Sequence, residues 1–266
     1  MTSQMCTDIL FTPMGADRHM RRIAGGNETE VYCTDDGQYV LKVKSEGGGS
    51  VEEALQEARK LHAAARSFST ALGPKYTIPN HVFVARNSQG EAQPVVVQPY
   101  VRHGCPLSAL DYAQLSRAER RALARQLRNL IRRSLLHYHK TRRMPDLYGR
   151  ISPSKAERKR RNAPHRLPRR LWSFLVQRTL LRSHNLMLTQ GEERRLILVD
   201  YDPIKKGPLY RFLYYSARRL LFLRDLALIQ LMEKTEWTPV PQRRPDTWLP
   251  SPSNSPSFTP ERQSAR

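Results

Sequence analysis

Apolar and polar positions alternate first and recur at helical spacing later. From position 23, Gly25 and Gly26 precede an alternating run that ends at Val31-Tyr32. Asp35-Asp36-Gly37 then reads as a tight turn, and Tyr39-Val40-Leu41-Lys42-Val43-Lys44 as a second strand. Asp-Gly between two such runs is a hairpin signal. After Gly47-Gly48-Gly49, Ser50 and Glu53 form a capping box, and Leu55, Ala58, Leu61, His62 and Ala65 give the helix that follows an apolar face. Gly73-Pro74 ends it. Runs over 81–85 and 94–98 predict another hairpin around Ser88-Gln89-Gly90, followed by a connector over 100–106.

The second half reads as helix. Ser116 with Glu119 is a further capping box, opening a helix predicted to about position 142, with Leu123, Leu127, Leu130, Ile131, Leu135 and Tyr138 on one face. A helix is expected over 168–182, then a hairpin of 184–188 and 195–200 about Gln190-Gly191-Glu192. The final apolar stretch, 209–232, has the length of a bilayer span. Arg211, Arg218, Arg219, Arg224 and Asp225 interrupt it, at about 2.5–3.5 kcal/mol each near a bilayer centre, so a buried or amphipathic helix is expected. From Trp237 the chain is rich in Pro and Ser and is expected to be disordered.

Composition sharpens this picture. With 39% hydrophobic residues in 266, the chain can bury a core, which excludes wholesale disorder. The net charge of +21 is uneven: residues 1–110 hold eleven basic and eleven acidic side chains, so the excess lies beyond them. From 142 to 182 there are thirteen Lys/Arg against two acids, densest over 155–161. Such a cluster is either a solvated face or a site for an anionic partner: a phosphorylated or carboxylated substrate, a nucleic acid, or a membrane surface. No helix-turn-helix, finger or RNA-binding aromatic signature supports nucleic acid beyond charge. Leu171, Trp172, Phe174, Leu175 and Val176, among arginines, fit either an interfacial helix or docking on the protein's own core. Cys6, Cys33 and Cys105 are too few and scattered for a disulfide framework or a Cys-based zinc site. With no basic segment and apolar run at the start, a reducing, cytoplasmic compartment is expected.

One pair stands out locally. Asn185 and Asp200 bracket a short hairpin, which would bring both side-chain oxygens to one end of it. Hard cations such as Mg²⁺ take oxygen ligands from few protein groups. The alternative makes Asn185 a strand cap and Asp200 a turn residue before Pro203.

The order of the signals resembles the protein-kinase-like superfamily over about residues 23–230: glycine turn, strand lysine, helix glutamate, hairpin, connector, long helix, Asp-Leu, strand Asn, and Asp closing the next strand. The resemblance implies an α+β, two-lobed protein-kinase-like fold. A small antiparallel-sheet N-lobe with one helix would span 23–101. A short, basic, mainly helical C-lobe would span 102–235, with a basic insertion near 150–182. An extension over 1–22 and the tail over 236–266 would flank them. Carried onto this chain, the resemblance makes Lys42 the lysine on the nucleotide's phosphates and Glu57 its carboxylate partner, with Glu53 as competitor. Gly25 and Gly26 would let backbone N–H groups approach phosphate, and the segment from Gln98 through Tyr100 to Val101 would be the hinge against an adenine edge. Asn185 and Asp200 would hold Mg²⁺, with ATP as cosubstrate, and Asp202 would be a further ligand or a turn cap. Asp146 would be the proton acceptor.

This sequence departs from the family pattern. The full glycine loop is missing, Tyr201-Asp202 follows Asp200 in place of Phe-Gly, and Leu180 stands where an aspartate is expected five residues before Asn185. About 35 residues follow Asp200 before the tail, too few for the long activation segment. That shortness resembles compact bacterial kinase-like phosphotransferases, or a pseudokinase if Asp146 is only a turn residue.

Overall fold

A computed structural model describes residues 20–25, 29–44, 48–86, 90–149, 178–191, 193–201 and 207–234. Gly26, Asp202, most of the basic 150–182 segment and the tail lie outside them. The described chain is α+β, with an antiparallel sheet and three α-helices.

Five strands form the main sheet: β1 Met20–Gly25, β2 Thr29–Thr34, β3 Tyr39–Lys44, β4 His81–Arg86 and β5 Ala92–Pro99. All neighbours are antiparallel, in the order β1-β2-β3-β5-β4. The β2–β3 turn forms as its Asp-Gly predicts. Gly37 takes φ 61°, its N–H reaches Thr34 O at 2.8 Å, and Asp36 Oδ1 accepts from Gln38 N at 2.9 Å. β1 was not expected before position 23, because Met20-Arg21-Arg22 shows no alternation. It nevertheless pairs with β2, through a register shift between Arg22 and Ala24, and Arg22 Nη2 meets Glu30 Oε1 across the pair at 3.2 Å.

Between β3 and β4 the chain makes α1, Val51–Leu72. Its capping box is formed as read: Ser50 Oγ accepts from Glu53 N and Glu53 Oε2 from Ser50 N. Ala54, Ala58 and Leu61 are buried in its first half. Ala64, Ala65, Phe68 and Leu72, in its second half, join the main hydrophobic core. α1 thus ties the sheet to the rest of the molecule.

That core is built on α2, Arg117–Thr141, and α3, Pro208–Lys234. α2 begins at the Ser116–Glu119 capping box and ends where Arg142 turns left-handed (φ 55°). Leu123, Leu127, Leu130, Ile131 and Tyr138 are buried as their spacing predicts, while Leu135 is only partly so. A small sheet of β6 Cys105–Pro106, β7 Leu186–Leu188 and β8 Leu196–Leu198 completes it. The expected hairpin over 184–200 is present but shorter. A helix reaching 182 is not: Thr179 is extended (φ −117°, ψ 156°), and Leu180–Arg182 is a single 3-10 turn. Burial of Leu180 and Leu181 overrides helical continuation there.

Candidate functional site

Lys42 sits mid-sheet, opposite Val31 on β2 and Val96 on β5. Its Nζ donates to the carbonyl of Val199, 157 positions away, at 2.6 Å. The amide of Gln98 also donates to that carbonyl, at 3.1 Å, and to Asn80 Oδ1. Two side chains of the sheet thus hold the residue just before Asp200. Tyr201, just after it, is anchored too: its hydroxyl accepts from Ile78 N at 2.9 Å. Burial, more than any other cause, pushes that phenol up to about 12.

The hairpin register carries Val199 to Asn185. β7 and β8 pair Leu186 with Leu198, and one step further Val199 N donates to Asn185 O at 2.9 Å. Asn185 itself is buried. Its Nδ2 donates to Asp146 O at 2.8 Å, an orientation that leaves Oδ1 as the acceptor. Gly149 (φ 66°) packs so close to this amide that a Cβ there would collide with Oδ1. Ser183 supports the turn: its hydroxyl donates to Leu147 O at 2.6 Å and accepts from Leu186 N at 2.9 Å.

The structure therefore brings together Lys42, Val199, Asn185 and Asp146, by three successive hydrogen bonds. Asp200 adjoins them and is half-buried. Gly25 lies at the end of β1, opposite Glu30. Glu57 is half-buried on α1, and Glu53 accepts from Ser50 N in the capping box. A Lys42–Glu57 contact is not among the ion pairs of the described residues; the ammonium goes to Val199. Glu57 instead lines a cavity of about 760 Å³, with Glu53, Lys60, Ser67, Arg143 and Tyr215. Lys42 and Asn185 are not among the described side chains around that cavity.

The segment expected to be a hinge starts inside a strand. Gln98 belongs to β5, opposite Val40, so its backbone serves the sheet and its side chain the site. Tyr100 N donates to Gln38 O at 2.7 Å, while the carbonyls of Tyr100 and Val101 accept from Arg102 N and Gly104 N. Among the described residues the Val101 N–H takes no backbone partner.

Asp146 is half-buried beside a group that sequence reasoning missed. Its Oδ1 accepts from Tyr148 N at 3.1 Å and pairs with Arg218 Nη2 at 3.2 Å. Arg218 is 2% exposed, with its guanidinium 4.0 Å from the centre of the Tyr148 ring and 4.8 Å from that of Tyr214. Burial alone would lower the Arg218 pKa; the charge of Asp146, and then Tyr214, outweigh it and hold it above its usual value. About two turns further along α3, Asp225 is also buried, and its Oδ2 accepts from Tyr148 Oη at 2.7 Å and Leu180 N at 3.2 Å. Burial raises its pKa, against the lowering effect of these hydrogen bonds and of Arg224. The available signal was positional: Arg218 and Asp225 share the stripe of Tyr215, Phe222 and Ile229.

Asn185 and Asp200, the pair expected to hold Mg²⁺, carry hard oxygens of the type that ion takes, and flank the two strands of one hairpin, joined by Val199 N to Asn185 O. No group of three or more His, Cys, Asp or Glu gathers among the described residues, so a zinc-type site is not formed there. No protein-family model matches this chain, and no curated protein matches it.

Proposed function

We propose that this chain is a divergent member of the protein-kinase-like superfamily: a two-lobed protein that binds ATP with Mg²⁺ and transfers phosphate to a hydroxyl acceptor, a small molecule or a protein. The observation that carries this reading is the run of hydrogen bonds from Lys42 to Val199, Asn185 and Asp146. It joins a strand lysine, the hairpin that carries Asn185 and runs on to Asp200, and Asp146, from three distant parts of the chain. That is the inventory phosphoryl transfer needs.

In this reading Lys42 leaves the Val199 carbonyl for the nucleotide's phosphates, and Glu57, which lines a cavity that Lys42 does not, turns to the ammonium when nucleotide binds. Gly25 and Gly26 give the phosphates backbone access, and Tyr100 and Val101 form the adenine edge. Gln98 holds the segment that carries Asp200. Asn185 and Asp200 would hold Mg²⁺, which when bound neutralises charge on the transferred group. Asp146 orients the acceptor hydroxyl and takes its proton.

A second reading, a nucleotide-binding pseudokinase, is favoured by the Asp146–Arg218 pair. Asp146 Oδ1 already accepts from Tyr148 N and Arg218 Nη2, so that oxygen is committed to a structural pair instead of an acceptor hydroxyl.

Calorimetric titration with ATP, with and without Mg²⁺, tests the shared part. Metal-dependent binding lost in Lys42→Ala and Asp200→Ala supports both readings; no binding in the parent protein removes both. ATP turnover then divides them. Turnover abolished in Asp146→Asn, with binding intact, supports the enzyme; binding without turnover in the parent supports the pseudokinase.

A further inference from the structure

α3 is apolar on two opposite faces, and the described residues bury only one of them. Tyr215, Leu221, Phe222, Ile229 and Met232 are buried against the core. Half a turn away Leu209, Phe212, Leu213, Leu220 and Leu223 are between 58% and 71% exposed. Ser216 and Ala227 continue this second stripe, which advances in steps of three and four residues without a charge in it. A helix apolar all round is normally buried all round. A contiguous exposed patch of this kind marks an interaction surface.

The charges around the stripe specify what covers it. Along one edge Arg219 and Arg142, both exposed, place their guanidinium groups 5.7 Å and 5.9 Å from the centre of the Tyr138 ring. Two cations thus share one ring beside the leucines. The acids of α3 do not answer them. Asp225 is 1% exposed, and Glu233 is paired with Arg128. The outer aspect of α3 is therefore apolar and cationic, in a chain of net charge +21.

We propose that this face of α3 lies on the surface of an anionic lipid bilayer, with Phe212 and the leucines at the acyl boundary and Arg142 and Arg219 on headgroup phosphates. No helix among the described residues is long and apolar enough to cross a membrane, so the contact is interfacial. A second copy fits less well: it would bring two more arginines alongside these two, with no carboxylate to oppose them.

Flotation of the full chain with vesicles tests this, using phosphatidylcholine alone and phosphatidylcholine with phosphatidylglycerol. The parent protein should float with the anionic vesicles and not with the neutral ones. Leu213→Glu/Leu220→Glu/Leu223→Glu should lower partitioning about a hundredfold, since each change removes an apolar anchor and adds a repelled charge. Arg142→Glu/Arg219→Glu should lower it about tenfold or more. An unchanged melting temperature in the triple variant is part of the expected result. The proposal is overturned if the parent does not partition, or if the triple variant partitions as well as the parent. It is also overturned if the triple variant melts well below the parent or loses a dimer seen by light scattering. The stripe would then be covered by the chain itself or by a second copy.

Discussion

In the helical region α2 alone buries Ala124, Leu127 and Leu130 with no measurable exposure, whereas no strand of the five-stranded sheet is buried along its length. β2 buries Cys33, β4 buries no residue, and β5 buries scattered positions. The sheet is held by one face of α1 and by Lys42 and Gln98 to Val199, while Arg133 to Leu72 O at 2.9 Å and Leu198 N to Tyr76 O at 2.8 Å tie the end of α1 and the segment after it to the helical region. The helical region is thus the more completely buried, and the sheet meets it through polar groups that can change partners. A lysine bonded to a carbonyl can be released to a ligand; a leucine in a full core cannot. Local opening should begin in the sheet.

The largest effect expected is from Asp225→Ala. It strands Tyr148 Oη and Leu180 N around a buried gap and takes from Arg224 its carboxylate, and should cost about 3–5 kcal/mol in urea unfolding. Next comes a paired truncation that measures the contrast itself. Leu127→Ala in the helical core should cost about 2–5 kcal/mol, and Val95→Ala in the sheet about 1–2 kcal/mol. Equal costs would break the comparison. Gly149→Ala meets both a left-handed φ and the Asn185 amide, so it should cost about 1–3 kcal/mol and also abolish any Mg²⁺-dependent response to ATP.

Ser116→Ala and Ser50→Ala each remove one capping box and should cost about 1 kcal/mol. The Ser50 change should speed amide exchange in the sheet region alone. The smallest effect is one of pH. His137 packs edge-on to Phe68 and within 3.4 Å of Ser67 Oγ, and burial, then Arg143, hold its pKa below 6.5. The unfolded chain therefore takes up a proton before the folded one does, and stability is lost as pH falls below about 6.5. Thermal melts from pH 7.5 to 5 should show this slope, flattened in His137→Gln.

What the sequence made legible was what local chemistry determines. Both capping boxes, the Asp-Gly turn and the apolar stripes of α1 and α2 formed where Ser50, Ser116, Gly37 and Leu127 placed them. β1 was hidden because Met20-Arg21-Arg22 carries no alternation and is fixed only by pairing with β2. The end of the predicted helix at 182 failed because tertiary burial of Leu180 and Leu181 prevails over propensity. Asn185 and Asp146 could be nominated separately, but nothing local announces that an amide joins them. Arg218 and Asp225 looked like interruptions of an apolar segment. They are buried in the stripe that segment forms.

The central claim is that ATP with Mg²⁺ binds between Lys42 and the Asn185–Asp200 hairpin. Hydrogen exchange of the full chain, with and without ATP and Mg²⁺, tests it most directly. The account predicts slower exchange over 39–44, 98–101 and 185–201 only when both are present, with little change along α2. Unchanged exchange in those three segments, or protection confined to other parts of the chain, would contradict it.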